Sequence, residues 1–540
     1  METRHDEADA DRDTANIPTS TSTNQRRSNN CQLPRGYKII CIFALIDVLL
    51  CVQVFILSGE KDMECSVLSY PQASQENFTT VPEQLKILMH KSTLTGSGKP
   101  SIMDVLSRLG YSKGRTDDWD LLWSRLYLFD PVVKKRFPEL TRLINVKNMP
   151  SNSKVNHFPG ISFMLDKRLL LTSTQSNRYI PKTFEMPKEK TQFLDLMKIP
   201  RHKNRLWIEK AQRHKGKVKQ VKDINLDQSI LVQELISKQI LLHDHAFKTS
   251  VHVLFTSIEP LRFYVIPYEF DHVLTPEKFS LDDLNDTRKY FTDGHKENKK
   301  VHTLPEMSRH NKAGYTDGQM VASYLMDAGL DVSTIHGQIY DAIRSIVYSR
   351  RDIIQQIYQE MYAGSKSSFS SNFFELMRWD FILGDNLQIY LLEVNPAPQM
   401  TFRGAGIPST MKNERHLYNA MRTLGVDKIG GHTAKGNWLR DSDVLVSASI
   451  CYKSTCESCT SQECLLCRHC LPDDHVTMLK ESLGQHLNRQ GMRRLHPKPM
   501  MNGGGSVKEY DTRREYIPKR EQLNTDWMEE KCKQDTYWCS

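Results

Sequence analysis

FFELMRWDFILGDNLQIYLLEVNPAPQM, residues 373–400, is the stretch from which the fold is read. Its first eleven residues are mostly aromatic and aliphatic, Gly384-Asp385-Asn386 supplies a tight turn, and a second apolar run follows through Val394. The pattern is strand, turn, strand. Asp380 falls on the first strand; Glu393 and Asn395 lie two residues apart on the second, so their side chains leave the same face. Two carboxylates and an amide carbonyl are hard oxygen donors, of the kind that holds Mg²⁺ between protein and phosphates. The competing reading is an edge hairpin with its acids in solvent. Pro396 and Pro398 then turn the chain away.

Upstream, Ile335, Ile339, Ile343, Ile346, Val347, Ile353, Ile354, Ile357 and Met361 recur at three- and four-residue steps. This predicts a core helix over 333–363, with Ser333 or Thr334 capping its start and Gly364 its end. VHVLFTS (251–257) and LRFYVI (261–266) read as a hairpin joined by Ile258-Glu259-Pro260. The charged segment 276–313 reads as a long loop over one face, and a further helix is expected from Ser409 to Leu424. Strands alternating with helices between 101 and 425 predict an α/β domain.

The whole chain has 540 residues, a net charge of +9, 39% hydrophobic and 25% charged residues. These averages exclude a multi-span membrane protein, a collagen, a coiled coil, a disulfide miniprotein and a wholly disordered chain. Residues 39–57, IICIFALIDVLLCVQVFIL, form an apolar run long enough to cross a bilayer once as a helix. Arg26, Arg27, Arg35 and Lys38 precede it and Glu60, Lys61, Asp62 and Glu64 follow, which puts the N-terminus in the cytosol and the main domain in a lumen or outside the cell. The expected organisation is a disordered tail (1–38), a transmembrane anchor (39–57), a stem (58–100), the α/β domain (101–425) and a Cys-rich basic tail (426–540). Sequons at Asn77 and Asn285 agree with a glycosylating compartment.

The hairpin also carries a family resemblance. It is similar to the C-terminal signature of the tubulin–tyrosine ligase-like family, an FEL-x-G-x-D strand followed by WLLEVN-x-x-P. Val155-Asn156-His157-Phe158-Pro159-Gly160 with Lys167 downstream resembles the family's N-H-F-P-G segment and nearby lysine. Tyr179-x-Pro181-x-Thr183-Phe184-x-Met186-Pro187 resembles P-x-T-W-x-L-P, and Trp207-Ile208-Glu209-Lys210 resembles W-I-V-K-P. Val232–Ile236 resembles V-Q-K-Y-I, and Ser257–Tyr264 resembles S-x-x-P-L-R-x-Y. The matches fall in the family's order. The resemblance implies an ATP-grasp-like fold and ATP- and Mg²⁺-dependent ligation of an amino acid, glutamate in most members, to carboxyl groups of tubulin or another glutamate-rich acceptor. It places Lys167, Lys210 and Gly216 at the phosphates, with Lys210 catalytic. It places Gln233, Glu234, Leu235 and Ile236 at the adenine, and Asp380, Glu393 and Asn395 on Mg²⁺.

Some family positions differ. The glycine-rich loop after Lys210 keeps Gly216 but has Val218 where a second glycine stands, and a β-branched residue resists the backbone conformation such a loop needs. The family's K-F-D-L-R element aligns with Ala246-Phe247-Lys248-Thr249-Ser250, its three charged residues replaced. The H-L-T-N segment corresponds at best to His302-Thr303-Leu304-Pro305. The metal donors are kept and the phosphate and amino-acid clamps are altered. Two readings follow: an active ligase with rearranged clamps, or a catalytically silent pseudoenzyme serving as a membrane-anchored binding module.

In the tail, Cys451, Cys456, Cys459, Cys464, Cys467 and Cys470 have spacings compatible with local disulfides or, with His469 and His475, with a compact Zn²⁺ site. An oxidising lumen favours disulfides. Arg493, Arg494, Arg513 and Arg514 read as solvated surface, and the absence of interleaved aromatics argues against a nucleic-acid groove.

Overall fold

The computed structural model describes residues 85–89 and 99–540, except 145–152, 174–176, 213–214, 268–269, 293–294, 363–371, 397–406, 427–438, 462–463, 501–517 and positions 117, 125 and 447. The expected anchor at 39–57, most of the stem, and Arg513 and Arg514 lie outside these residues. Among the described residues no helix is long and apolar enough to cross a membrane.

Two sheets carry the site. The larger has ten strands. Strands β1 (Leu85–Met89), β2 (Tyr111–Lys113), β3 (Leu121–Trp123) and β4 (Lys154–Asn156) form a parallel half. The smaller sheet, β5 (Thr183–Glu185), β6 (Trp207–Gln212), β7 (Lys215–Lys219) and β8 (Leu231–Glu234), is antiparallel in the order β5-β8-β6-β7. The large sheet resumes with β9 (Phe247–Ile258), β10 (Leu261–Val265), β11 (Asp271–Leu274), β12 (Phe373–Leu383), β13 (Ile389–Pro396) and β14 (Arg493–His496). Strand β12 joins its halves, pairing in parallel with β4 and antiparallel with β9 and β13.

Alternation along β12 explains how one strand serves two faces. Phe373, Met377, Trp379 and Phe381 enter a core with Val251, Val253 and Phe255 of β9. The long helix α3 (Val332–Tyr362) packs into the same core through Ile339, Ile343, Ile346 and Ile354. Phe374 and Leu376 enter a second core with helices α1 (Lys99–Arg108) and α4 (Ile407–Thr423). A further helix, α2 (Lys167–Ser173), lies beside β5. Asp331 caps α3, its Oδ1 accepting from the amides of Ser333 at 2.9 Å and Thr334 at 3.3 Å. The cap therefore sits before Ser333 and Thr334, because a short carboxylate just outside the first turn reaches its unpaired amides.

The glycine-loop expectation changes form. Gly216 and Val218 lie on β7, paired with Lys210 and Ile208 of β6. Val218 is buried with Ile208, Leu235 and Tyr290, so the β-branched residue serves a pleated strand whose side chain has a core to enter.

Residues from 82 to 540 form one compact unit, so the tail expected as a separate segment from 426 is not separate. Strand β14 extends the large sheet by pairing with β10. Helices α5 (Asp473–Leu487) and α6 (Lys519–Gln534) build a core around Trp527 and Trp538. Arg262 of β10 is fully buried and donates to Gln485 Oε1 at 2.9 Å and Glu481 Oε2 at 2.6 Å. Arg494, expected in solvent, is fully buried too, donating to the carbonyls of Pro497 at 3.0 Å and Trp538 at 2.8 Å. Its strand sits inside the assembly, and carbonyl partners satisfy the guanidinium there.

The tail cysteines form disulfides Cys451–Cys467, Cys456–Cys464, Cys459–Cys470 and Cys532–Cys539. Cys459, His469 and Cys470 come together closely enough to suggest a metal, but the two sulfurs are bonded to each other and a Zn²⁺ ligand must be a thiolate.

Candidate functional site

A cavity of about 490 Å³ opens between the two sheets. From the small sheet it is lined by Ile208 and Lys210 of β6, Lys217 of β7 and the run Gln233, Glu234, Leu235 and Ile236. From the large sheet it is lined by Phe247 and Lys248 of β9, Ile382 of β12, and Leu392 and Glu393 of β13. Lys167, at the start of α2, closes one side. The charged segment 276–313 supplies Thr287, Tyr290, Phe291, Thr292 and His295, so the expected loop forms a wall of the cleft.

Strand alternation positions these groups. Trp207 turns away from the cleft into the small sheet's outer core, edge-on to Phe193 at 4.9 Å. Ile208 and Lys210, on the alternate face, turn toward the cleft. The apolar Ile208, Leu235, Ile382 and Leu392 give the cavity flat walls, whereas Lys167, Lys210, Lys217 and Lys248 line it with positive charge. Gln233 is buried and donates from Nε2 to Thr183 Oγ1 at 3.1 Å. Arg205 pairs with Glu234.

The acid cluster stands beside this cavity. Asp380 and Glu393 are directly paired across β12 and β13, beside a register shift between Asp380 and Phe381. Their partners were not foreseen. Asp380 is fully buried; its Oδ1 accepts from Ser250 Oγ at 2.7 Å and Arg378 Nε at 2.8 Å. Its Oδ2 accepts from Arg378 Nη2 at 2.9 Å, Lys248 Nζ at 3.1 Å and Asn395 Nδ2 at 3.4 Å. Asn395 Nδ2 also donates to Glu393 Oε1 at 3.1 Å, and Lys167 pairs with Glu393 Oε2. Burial alone would raise the Glu393 pKa, but the charge and hydrogen bond of Lys167, then Lys248 and Asn395, bring it down to about 2.

Lys248 and Ser250 occupy the positions that aligned with the charged residues of K-F-D-L-R, and both now bind Asp380. Arg378, missed in the sequence, occupies the glycine position of FEL-x-G-x-D. Its signal was present: a residue two before Asp380 on a strand shares its face.

Other resembling segments have structural partners. His157 Nδ1 lies 3.1 Å from both Glu375 oxygens, and its Nε2 lies 2.9 Å from the Ser124 carbonyl. Asn156 Nδ2 donates to the same carbonyl at 2.6 Å. Gly160 has φ +79°, and a Cβ there would press on Ile357 at 3.2 Å. His302 Nδ1 lies 3.0 Å from Asp317 Oδ1, away from the cavity lining.

Residues 145–413 match the tubulin-tyrosine ligase family. The chain is 27% identical over 438 residues to the probable tubulin polyglutamylase ttll-15 of Caenorhabditis elegans, covering 78% of this chain and 79% of that protein. It is 27% identical over 323 residues to the tubulin polyglutamylase TTLL6 of Homo sapiens and 26% over 304 residues to TTLL6 of Mus musculus, spanning about a third of each. The chain is a divergent member of the tubulin-tyrosine ligase family.

Proposed function

We propose that the cleft binds an adenine nucleotide and that the protein ligates an amino acid, glutamate foremost, to side-chain carboxyl groups of a glutamate-rich acceptor. The observation that carries this reading is the cavity: apolar walls from both sheets, the run Gln233–Ile236 along one edge, and Lys167, Lys210, Lys217 and Lys248 where phosphates would lie. The Ile236 amide meets the adenine edge, the amides of Glu234 and Leu235 already donating to the Lys182 and Leu206 carbonyls; Ile208, Leu235, Ile382 and Leu392 flank its plane, and Lys210 neutralises phosphate charge. Bound ATP supplies the activation of an acceptor carboxylate toward attack by an amine. Lys210 holds the charge that develops as this happens.

The four disulfides support a domain that matures in an oxidising compartment. With the apolar segment 39–57 and its flanking charges, they favour a single-pass protein whose ligase domain is lumenal or extracellular. In that topology the acceptor is a glutamate-rich protein of that compartment, and cytosolic tubulin becomes the acceptor only if the orientation is reversed. Protease protection of a C-terminal tag in intact membranes is the expected result; digestion of the tag would reverse the assignment.

A second reading, nucleotide binding without ligation, is favoured by one observation: Asp380 is bound by Arg378, Lys248 and Ser250. The full chain, incubated with ATP, radiolabelled glutamate and either tubulin or a polyglutamate-bearing acceptor, separates the two. Incorporation that requires ATP and disappears in Lys210→Ala supports ligation. ATP binding with no incorporation into either acceptor supports the second reading.

A further inference from the structure

The family resemblance implies Mg²⁺ on Asp380, Glu393 and Asn395, and the residues present do not fit that ion. Mg²⁺ binds oxygen ligands at about 2.0–2.1 Å in a near-octahedral shell and keeps several waters. A carboxylate offers about four lone-pair directions. Those of Asp380 are met by five donor contacts within 3.4 Å, from Ser250, Arg378 twice, Lys248 and Asn395. Two of the donor groups are full cations, and the Arg378 guanidinium grips both oxygens in the two-pronged geometry that is among the stronger carboxylate contacts. Asn395 turns its NH₂, not its carbonyl, to both acids. Lys167 holds the remaining acid, Glu393. Three side-chain cations thus face two carboxylates. A divalent ion would enter an already positive site and would have to displace a buried ion pair, whose loss leaves a charge uncompensated.

We propose that Arg378, Lys248 and Lys167 replace the divalent cation of this site, and that the cleft takes its nucleotide as the free polyphosphate, without a metal. This rests on the nucleotide reading above and names the form of the ligand. The positive charge a metal would bring to the phosphates is here carried by the chain: Lys167 and Lys248 line the cavity wall beside Glu393, and Lys210 lines it from the small sheet. Position 378 is decisive, because glycine there has no side chain to reach Asp380, whereas arginine, two residues before it on the same face, closes on it.

Two titrations of the full chain test this. In the first, ATP is titrated calorimetrically in EDTA and in excess Mg²⁺; the affinities are expected to agree within about threefold. In the second, Mn²⁺ alone is titrated and followed by its electron spin resonance signal; no site lost on Asp380→Asn is expected. The double variant Lys248→Asp/Arg378→Gly is expected to gain such a Mn²⁺ site and to bind ATP about tenfold or more tighter with Mg²⁺ than in EDTA. Wild-type binding at least about tenfold tighter with Mg²⁺, or a wild-type Mn²⁺ site abolished by Asp380→Asn, overturns the proposal. If ATP binds in neither buffer, the nucleotide reading and the free-polyphosphate half of the proposal fail together, while the Mn²⁺ titration still decides whether the acid cluster holds a metal. Should the double variant fold poorly, Arg378→Gly alone, with its circular dichroism spectrum as a folding control, is expected to show the same direction of change.

Discussion

Glu375 and Asp380 stand five residues apart on β12 and, by strand alternation, serve opposite faces. Glu375 is fully buried against His157 and ties β12 to the segment after β4; Asp380 faces the cleft side among cations. Both acids belong to quoted family segments, yet only one has a place near the cavity. Removing one member of a buried polar pair strands the other, at about 1–3 kcal/mol. Glu375→Ala is therefore expected to lower unfolding free energy by that amount in urea titration, with ATP affinity in the folded protein unchanged. That Glu393 and Asn395 share a face was legible because side chains alternate with period two; that Asp380 pairs with Glu393 was not, because a register shift between Asp380 and Phe381 sets it. The role of Glu375 was not, since its partner lies 218 residues away in sequence and no local pattern joins them.

At the scale of elements, the β12–β13 hairpin, the β9–β10 hairpin and α3 follow from periodicity, and their bounds lie within a few residues of the sequence reading. The segment that the resemblance aligns with a glycine-rich loop is built on the β6–β7 hairpin; Trp207 in the outer core and Ile208 toward the cleft describe a strand. Strands β9 and β11 also carry a pH dependence. His252 and His272 are both held down to about 3. For His252 burial is the main cause, opposed by Asp271 and reinforced by His416, Lys412 and Arg378. For His272 burial leads again, Lys412 and His336 adding and Asp271 opposing. Burial would raise Asp271, but Lys412 and His252 outweigh it and hold its carboxyl below the usual range. The unfolded chain protonates these imidazoles near 6.5, before the folded chain does. Their contribution to stability is thus complete above that pH and is lost as the pH falls toward 3; Asp271 acts in the same direction below its own ordinary value. Thermal melts are expected to show Tm falling from pH 6.5 to pH 4, less steeply in His272→Gln. A flat profile would contradict this.

Across the whole molecule, the boundary expected at residue 425 does not divide the structure. Composition changes there, but β14 and the buried side chains of α5 and α6 complete the large sheet's edge. Arg351 of α3 donates to Glu521 of α6 at 3.1 Å, both nearly fully buried, and Gln355 donates to the same carboxylate at 3.0 Å. Breaking one side of a buried ion pair costs about 3–5 kcal/mol. Glu521→Ala is expected to lose about that much and to expose residues 518–540 to limited proteolysis before the cleft unfolds. The cysteines that avoid the middle of the chain mark where covalent bonds supplement a small outer core, not where a second domain begins.

If the cleft between the sheets is a nucleotide site built around Lys210 and Gln233–Ile236, calorimetric titration of ATP into the full chain and its Lys210→Ala variant will show it. Saturable binding at one site is expected, weakened about tenfold or more by the substitution. No heat of binding in the wild type, or equal affinity in the two proteins, would contradict it.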